Sequence, residues 1–557
     1  MLPASIATSV APETISKVTR LFNGSARDVL NELLQNARRA GASTVSISTK
    51  GGAGDRLLTI VDDGSGIDDP ATIVTLGRSG WSDETRERED PAGMGVFSLA
   101  GRDVMIRSWS RAEHQGWCAH IPASAWESSR PIAITSDPII RGTSITIRMP
   151  EDWTRTLEAD VAHVARFFPL TVTFQGTDLP REEWLAGAVH VEEWQGSRIG
   201  IFRSNPAPVS IYDPRLNFHG VTIPCSLHRV SEVGARVMWT ARVDIIDTPS
   251  LQLVLPARKE AVQNAALDAM LVAVRAAMYR AIAQQASHRL AYADWSDARD
   301  LGVQLPEAEA YLRAWLPRCA DAHAAYVSDV RVEDPSMVVM TDFEAIVEQP
   351  FAIAIEGRST FGGPLVDQET QFSGYSWYDT LARVEQIDFM IERDGRKFTV
   401  SDVHEAPPSE ESGFVDAITL IATIAHAGAS VEVSCEADIA FAADQFMCSS
   451  AEDTIIFVRN GMTRTTADVA DLLERAVFEP NSDSDADSHE TQRERFERDA
   501  LDRVIGLLEG SEAALEAQIR RLLRSHSWII PADRTVAINA TRDTVEVQIA
   551  DRQSEAA

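Results

Sequence analysis

Four short stretches carry residue types that could handle a flat, phosphate-bearing ligand. In IVDDGSGI an apolar strand runs into Asp62 and then Gly64 and Gly66. A carboxylate fixed at a strand end can accept a hydrogen bond from an amine or amide, and glycines let backbone approach a planar ligand closely. In AGMGVFSLAGR, Gly93 and Gly95 open an apolar helix. Free amide donors and the positive end of the helix dipole gather at such a start and suit phosphate oxygens. In ELLQNARRAGA, Glu32 and Asn36 are four residues apart, so both project from one helix face beside the stripe that packs. In RGTSITIRMP, Gly142 and Thr143 enter a strand close to a proline stop. Each stretch alone has a plainer reading. Asp and Gly after a strand are common turn chemistry, and Glu and Asn are ordinary on an exposed helix face. Neither GMGVFS nor GRSTFGG carries the Lys-Ser/Thr of a Walker loop.

The elements that must hold these residues are legible from pattern. Ser25 and Asp28 form a capping-box signature for a helix running through Ala40, with Val29, Leu33 and Ala37 on its packing stripe and Gly41 as its stop. Strands follow at STVSIST, RLLTIVDD, VMIRSW, IAITS and TSITIRMP. Between them GRSGWSDETREREDPAGMG combines four glycines, a proline and mixed charge, as a long functional loop does. Strand signals dominate from about 151 to 261 and end in a helical stretch, EAVQNAALDAMLVAVRAAMYRAIAQQA. From about 328 to 478 mixed elements return, around an expected helix FVDAITLIATIAHAG and a strand SVEVSC. The segments ARRAGASTVSIS and IAHAGASVEVSC echo each other, and the shared Ala-Gly-Ala-Ser is read as a glycine helix stop before a strand. EPNSDSDADSHE is an acidic linker by composition, and TVAINA with TVEVQIA forms a terminal hairpin-like pair.

Composition bounds the function. A length of 557 residues exceeds one core, and an ordinary balance of 44% hydrophobic and 24% charged residues excludes dominant disorder. The net charge of −31 disfavours broad electrostatic binding to nucleic acid. The basic run IRRLLRSHSW is assigned to complementing a helix C-terminus. Five scattered cysteines without a C-x-x-C pair indicate neither a disulfide framework nor a zinc site. With no leader-like start and no apolar run long enough to span a bilayer, a cytoplasmic protein without membrane contact is expected.

In this order and spacing, the four stretches resemble the boxes of the GHKL ATPases, the superfamily of gyrase, ninety-kilodalton heat-shock chaperones, histidine kinases and MutL. ELLQNARRAGASTVSI is similar to the MutL and chaperone form of the N-box, DDGSGI and GMGVFSLA to the two glycine boxes, and GTSITIRMP to the closing strand. The resemblance implies an α+β chain with an N-terminal Bergerat-fold sandwich, a mixed sheet with helices on one face, binding ATP and Mg2+ under a mobile lid. It assigns Asp62 to the adenine amine, Thr143 to supporting that end, Asn36 to magnesium, and Gly64 and Gly66 to the nucleotide. Gly93 and Gly95 would present amides to the phosphates, with Arg78 a basic lid residue. Glu32 stands where hydrolysing members carry the glutamate that orients and deprotonates the attacking water, whereas sensor kinases usually have asparagine. Arg258, with Lys259 in reserve, is nominated to sense the terminal phosphate, beside the plainer reading of a basic first helical turn. One departure is clear: relatives have Asp in DAGA where this chain has Arg39, expected either to pair with Asp62 or Asp63 or, as favoured here, to point outward.

The expected organisation is an ATP-binding domain over 1–150, a transducer-like α+β domain over 151–327, a mixed domain over 328–478, an acidic linker over 479–499 and a helical tail with a strand pair over 500–557. The expected function is a Mg-dependent ATPase acting as a nucleotide-gated clamp of the chaperone or MutL type. It would be a homodimer with a possible protein client or complex partner. The alternative is a non-hydrolysing nucleotide-binding scaffold or a signalling or defence component.

Overall fold

A computed structural model describes residues 25–52, 55–73, 80–81, 98–127, 131–205, 213–254, 260–324, 326–358, 361–400, 410–443 and 450–551. The chain forms two compact units, Met1–Glu309 and Ala310–Ala557.

In the first unit Ser25 caps the first helix, as the sequence predicts. Ser25 Oγ accepts the Asp28 amide at 3.2 Å and opens helix α1, Ala26–Arg39. The helix buries Val29, Leu30, Leu33, Leu34 and Ala37. That stripe needs an apolar sheet face, and strands β1 (Thr44–Lys50), β2 (Leu57–Asp62), β3 (Val104–Ser110), β4 (Gln115–Ile121), β5 (Ile134–Asp137) and β6 (Thr143–Arg148) supply it. The sheet does not close at residue 150: β7 (Thr171–Phe174) pairs parallel with β1, and β8 (Thr177–Asp178) follows it. The order is β5-β4-β3-β6-β2-β1-β7-β8, a mixed sheet in an α+β fold. Helix α2, Leu157–Ala165, packs beside α1, tied by Arg27 Nη2 to Asp160 Oδ1 at 3.0 Å.

The same unit holds a second sheet, built on β9 (His190–Trp194), β10 (Ser197–Ser204), β11 (Pro214–Phe218), β12 (Val221–Pro224), β13 (Val230–Ser231) and β14 (Met238–Ile245). The long helix expected after it is α3, Ala265–Ala283, which buries Met270, Val274, Ala277 and Ile282. LQLVLP, read as a strand, contributes only a single bridge, Leu253 to Ala261, among the described residues.

In the second unit one expectation fails. FVDAITLIATIAHAG is not a helix: Ala417–His426 is a strand with every second residue buried, paired through a two-residue turn with Ala429–Glu436. Ile, Thr and Leu alternate at period two, and β-branched side chains favour the pleated surface. Ala427 (φ 52°) and Gly428 (φ 79°) make the left-handed pair that tight hairpins require. Ala345–Ile355 (α4) and Thr466–Val477 (α5) share this unit's core, and His489–Leu508 (α6) begins inside the stretch read as linker. The terminal hairpin Arg534–Ala540 with Val545–Asp551 forms as expected. Among the described residues, no helix is long and apolar enough to cross a membrane.

Candidate functional site

The register of the first sheet sorts its helix-facing side into rows. Ile47, Ile60, Ile145, Ile106 and Ala119 face one another across β1, β2, β6, β3 and β4; the next row, Thr49, Leu58, Ile147, Val104 and Ile121, is apolar but for Thr49 at its β1 end. The third row, at the end of the sheet, reads Val45, Asp62, Thr143, Ser108 and Trp117. Three consecutive strands thus place polar side chains on the face that α1 and α2 cover. Buried polar groups are expensive unless bonded, and here they are bonded. Thr143 Oγ1 and Ser108 Oγ lie 2.9 Å apart, and Ser108 Oγ also accepts the Ile67 amide at 2.9 Å.

Asp62 sits where this row meets the turn. Its carboxylate accepts the Gly64 amide at 2.9 Å. Burial raises its pKa, opposed by the backbone amides of Gly64 and Thr143, while the neighbouring Asp63 raises it further. Asp63 is placed differently. The Ser43 hydroxyl holds it down to about 2, aided by the amides of Thr44 and Ser43 and by Arg141. One member of the Asp-Asp pair is therefore occupied as a surface turn cap. The other is an inward carboxylate with acceptor capacity beyond its two backbone bonds.

The glycines explain how the turn fits under the helix. A Cβ on Gly64 would lie 2.8 Å from Ala40 Cβ, and one on Gly66, at φ +79°, would lie 2.1 Å from Trp109 O. Ser65 N donates to Ala40 O at 2.8 Å, so the turn after Asp62 is stitched to the C-terminal end of α1. Glu32 and Asn36 are half-buried on α1, flanking its packing stripe as the spacing predicts. Arg39 corrects the expectation of an outward side chain. It is half-buried, and its Nη1 donates to Asn36 Oδ1 at 3.4 Å. Asp63, one of its expected partners, is engaged by Arg141 instead, at 3.1 Å.

The structure thus brings Asp62, Gly64, Gly66 and Thr143 together, next to the helix that carries Glu32 and Asn36. Arg78, Gly93, Gly95, Arg258 and Lys259 lie outside the described residues. Two contributors escaped sequence reasoning. Ser108 is the polar residue at the inward phase of VMIRSW, in step with Val104 and Ile106, a signal that alternation could have exposed. Gln35, 4% exposed, sends its Nε2 to His219 O at 2.9 Å and fastens α1 to the turn between β11 and β12. No sequence pattern announces that contact.

No protein-family model matches the chain. A segment of 126 residues is 31% identical to the DNA mismatch repair protein MutL of Elusimicrobium minutum (strain Pei191), covering 22% of this chain and 20% of that protein. The chain thus spans about a fifth of the length of the curated relative it matches. Over that stretch the chain is similar to MutL, one of the proteins whose boxes the four motifs resemble. Among solved structures, the ATPase region of Saccharomyces cerevisiae topoisomerase II matches at a TM-score of 0.33 and 10% identity, over 46% of this chain and 89% of that one.

Proposed function

We propose that the first unit binds ATP with Mg2+ and hydrolyses it, as a nucleotide-gated clamp. The observation that carries the reading is the polar row Asp62, Thr143 and Ser108, set into an otherwise apolar helix-covered face and joined by the glycine turn to α1. Asp62 would accept the adenine amine, with Thr143 and Ser108 fixing that end, and Gly64 and Gly66 would admit the base edge. Asn36 would ligate magnesium, which neutralises phosphate charge when bound, and Glu32 would act as general base on water. Arg78, Gly93 and Gly95 are proposed for the phosphates and Arg258 for sensing the terminal one. Nucleotide would order the segment 77–92 and engage the domain that follows. A homodimer and a cytoplasmic setting belong to the same proposal. The net charge of −31 opposes unassisted DNA binding. The name of the MutL relative makes DNA the first nucleic acid to test against that expectation.

A second reading, a non-hydrolysing nucleotide-binding scaffold, is favoured by the Arg39–Asn36 hydrogen bond, which engages the carboxamide oxygen wanted for magnesium. Measuring ATP binding and phosphate release on the full chain, with Mg2+ and with excess chelator, separates the two. Binding with Mg-dependent release supports the clamp, binding without release supports the scaffold, and no binding rejects both.

A further inference from the structure

The second unit holds a cluster independent of the nucleotide reading. Asp321, 5% exposed, points one carboxylate oxygen at each of two imidazoles: Oδ1 lies 3.2 Å from His323 Nδ1 and Oδ2 lies 2.8 Å from His489 Nε2. The two rings stand 5.2 Å apart, and all three donor atoms fall within 4.8 Å of one another. We infer that Asp321, His323 and His489 form a binding site for a divalent transition-metal ion of the zinc class, with water completing its coordination.

The supports of these side chains explain why they converge. Arg318 N donates to Glu348 Oε2 at 2.7 Å and Gln349 Nε2 to Arg318 O at 2.6 Å, so the loop preceding Asp321 is fixed to α4. Ala320 N donates to Arg475 O at 2.8 Å, fixing the same loop to the last turn of α5. The third ligand is the first residue of α6, its ring edge-on to Phe478 at 6.0 Å. The ligands therefore come from two segments locked to separate helices, an arrangement set before any ion arrives.

Ligand chemistry selects the ion. Two imidazoles and one carboxylate suit zinc and its borderline neighbours better than magnesium or calcium, which prefer all-oxygen shells. Donors about 2.0–2.2 Å from a tetrahedral zinc lie roughly 3.3 Å apart; the two carboxylate–imidazole separations are close to that, each to a different oxygen, and rotation of the exposed His323 ring closes the remaining gap from within 4.8 Å. Side-chain exposures of 76% for His323 and 39% for His489 leave the outer side of the cluster open to water. Asp483, Asp485 and Asp487, just before His489, add negative potential that draws a divalent ion. Without metal the three groups are a carboxylate hydrogen-bonded to two histidines, which pins α6 to the loop. The same two nitrogens either donate to the carboxylate or give lone pairs to an ion.

The test uses the full chain without nucleotide, in an Asn36→Ala background so that the proposed magnesium ligand cannot contribute. After chelation and dialysis, the protein is titrated with Zn2+ by calorimetry and with Co2+ by visible absorption. One equivalent with micromolar or tighter affinity is expected, with Co2+ bands of four- or five-coordinate nitrogen and oxygen ligation. His323→Ala and His489→Gln should each lower affinity at least tenfold and abolish the thermal shift that Zn2+ gives the parent. Absence of binding in a folded parent, or binding unchanged in both variants, would overturn the assignment and leave a hydrogen-bonded clip.

Discussion

The first sheet of the N-terminal unit and the main sheet of the C-terminal unit meet their helices on different terms. In the second, strand Ala382–Arg393 aligns Phe389 with Leu420 and Val400, Ile391 with Ile418 and Phe398, and Ile387 with Ala422, so the face is apolar in each of these rows. In the first, two such rows are followed by Asp62, Thr143 and Ser108. A buried row of this kind costs desolvation that an aliphatic row avoids, and hydrogen bonds recover only part of it. A face built only for packing has no use for it. The proposed nucleotide site rests on this contrast, and substitutions on the two sheets should have opposite signatures.

The largest effect is expected from Glu32→Ala. As a general base it should carry about 10²- to 10⁴-fold of turnover, lost in phosphate-release assays while nucleotide affinity holds. Wild-type turnover in that variant would remove Glu32 from the mechanism. Leu420→Ala, on the apolar sheet, should do the reverse. Leu420 is 1% exposed, and truncating such a residue costs about 2–5 kcal/mol. Denaturant unfolding of the second unit should shift by that amount with nucleotide affinity unchanged. Thr143→Val removes one of Ser108's partners, leaving the Ile67 amide and the Gly142 carbonyl, and should cost about 0.5–1.5 kcal/mol, with a loss of nucleotide affinity that Leu420→Ala does not share.

A pH effect sharpens the comparison from the other side. Glu348 on α4, 1% exposed, is pushed by burial from its ordinary 4.5 up to about 7, against the Arg318 amide and guanidinium. The folded state keeps this proton through a range where the unfolded chain has lost it. Stability therefore falls as pH rises from about 4.5 through about 7 and levels off above, a swing on the order of a few kcal/mol at most. Glu348→Gln should flatten that part of the dependence in urea midpoints taken at pH 5 and pH 8. An unchanged slope would assign the titration elsewhere.

What the sequence revealed follows physical range. The α1 cap and the strands that bear the site depend on neighbours within a few residues, and they lie where the patterns put them. The Ala-Gly-Ala-Ser echo shows where local reading stops. After ARRAGAS the tetrapeptide closes a helix, whereas in IAHAGAS it turns a hairpin. The difference lies upstream, in the Ile/Thr alternation of 417–426 against the three-and-four spacing of 26–39. Long-range facts were hidden: β7 joining β1 across more than a hundred residues, and Gln35 reaching His219. Of the paired aspartates, Asp62 could be chosen from motif order, but its separation from Asp63 in environment required the register.

The most direct test is the affinity of a non-hydrolysable ATP analogue for the full chain and for Asp62→Asn, with unfolding followed in parallel. A hydrogen bond to a charged acceptor is worth about 1.5–3 kcal/mol, so a loss of roughly 10- to 100-fold is expected with the unfolding transition nearly unmoved. Equal affinity in both proteins, or none in the wild type, would contradict a nucleotide site at this end of the sheet.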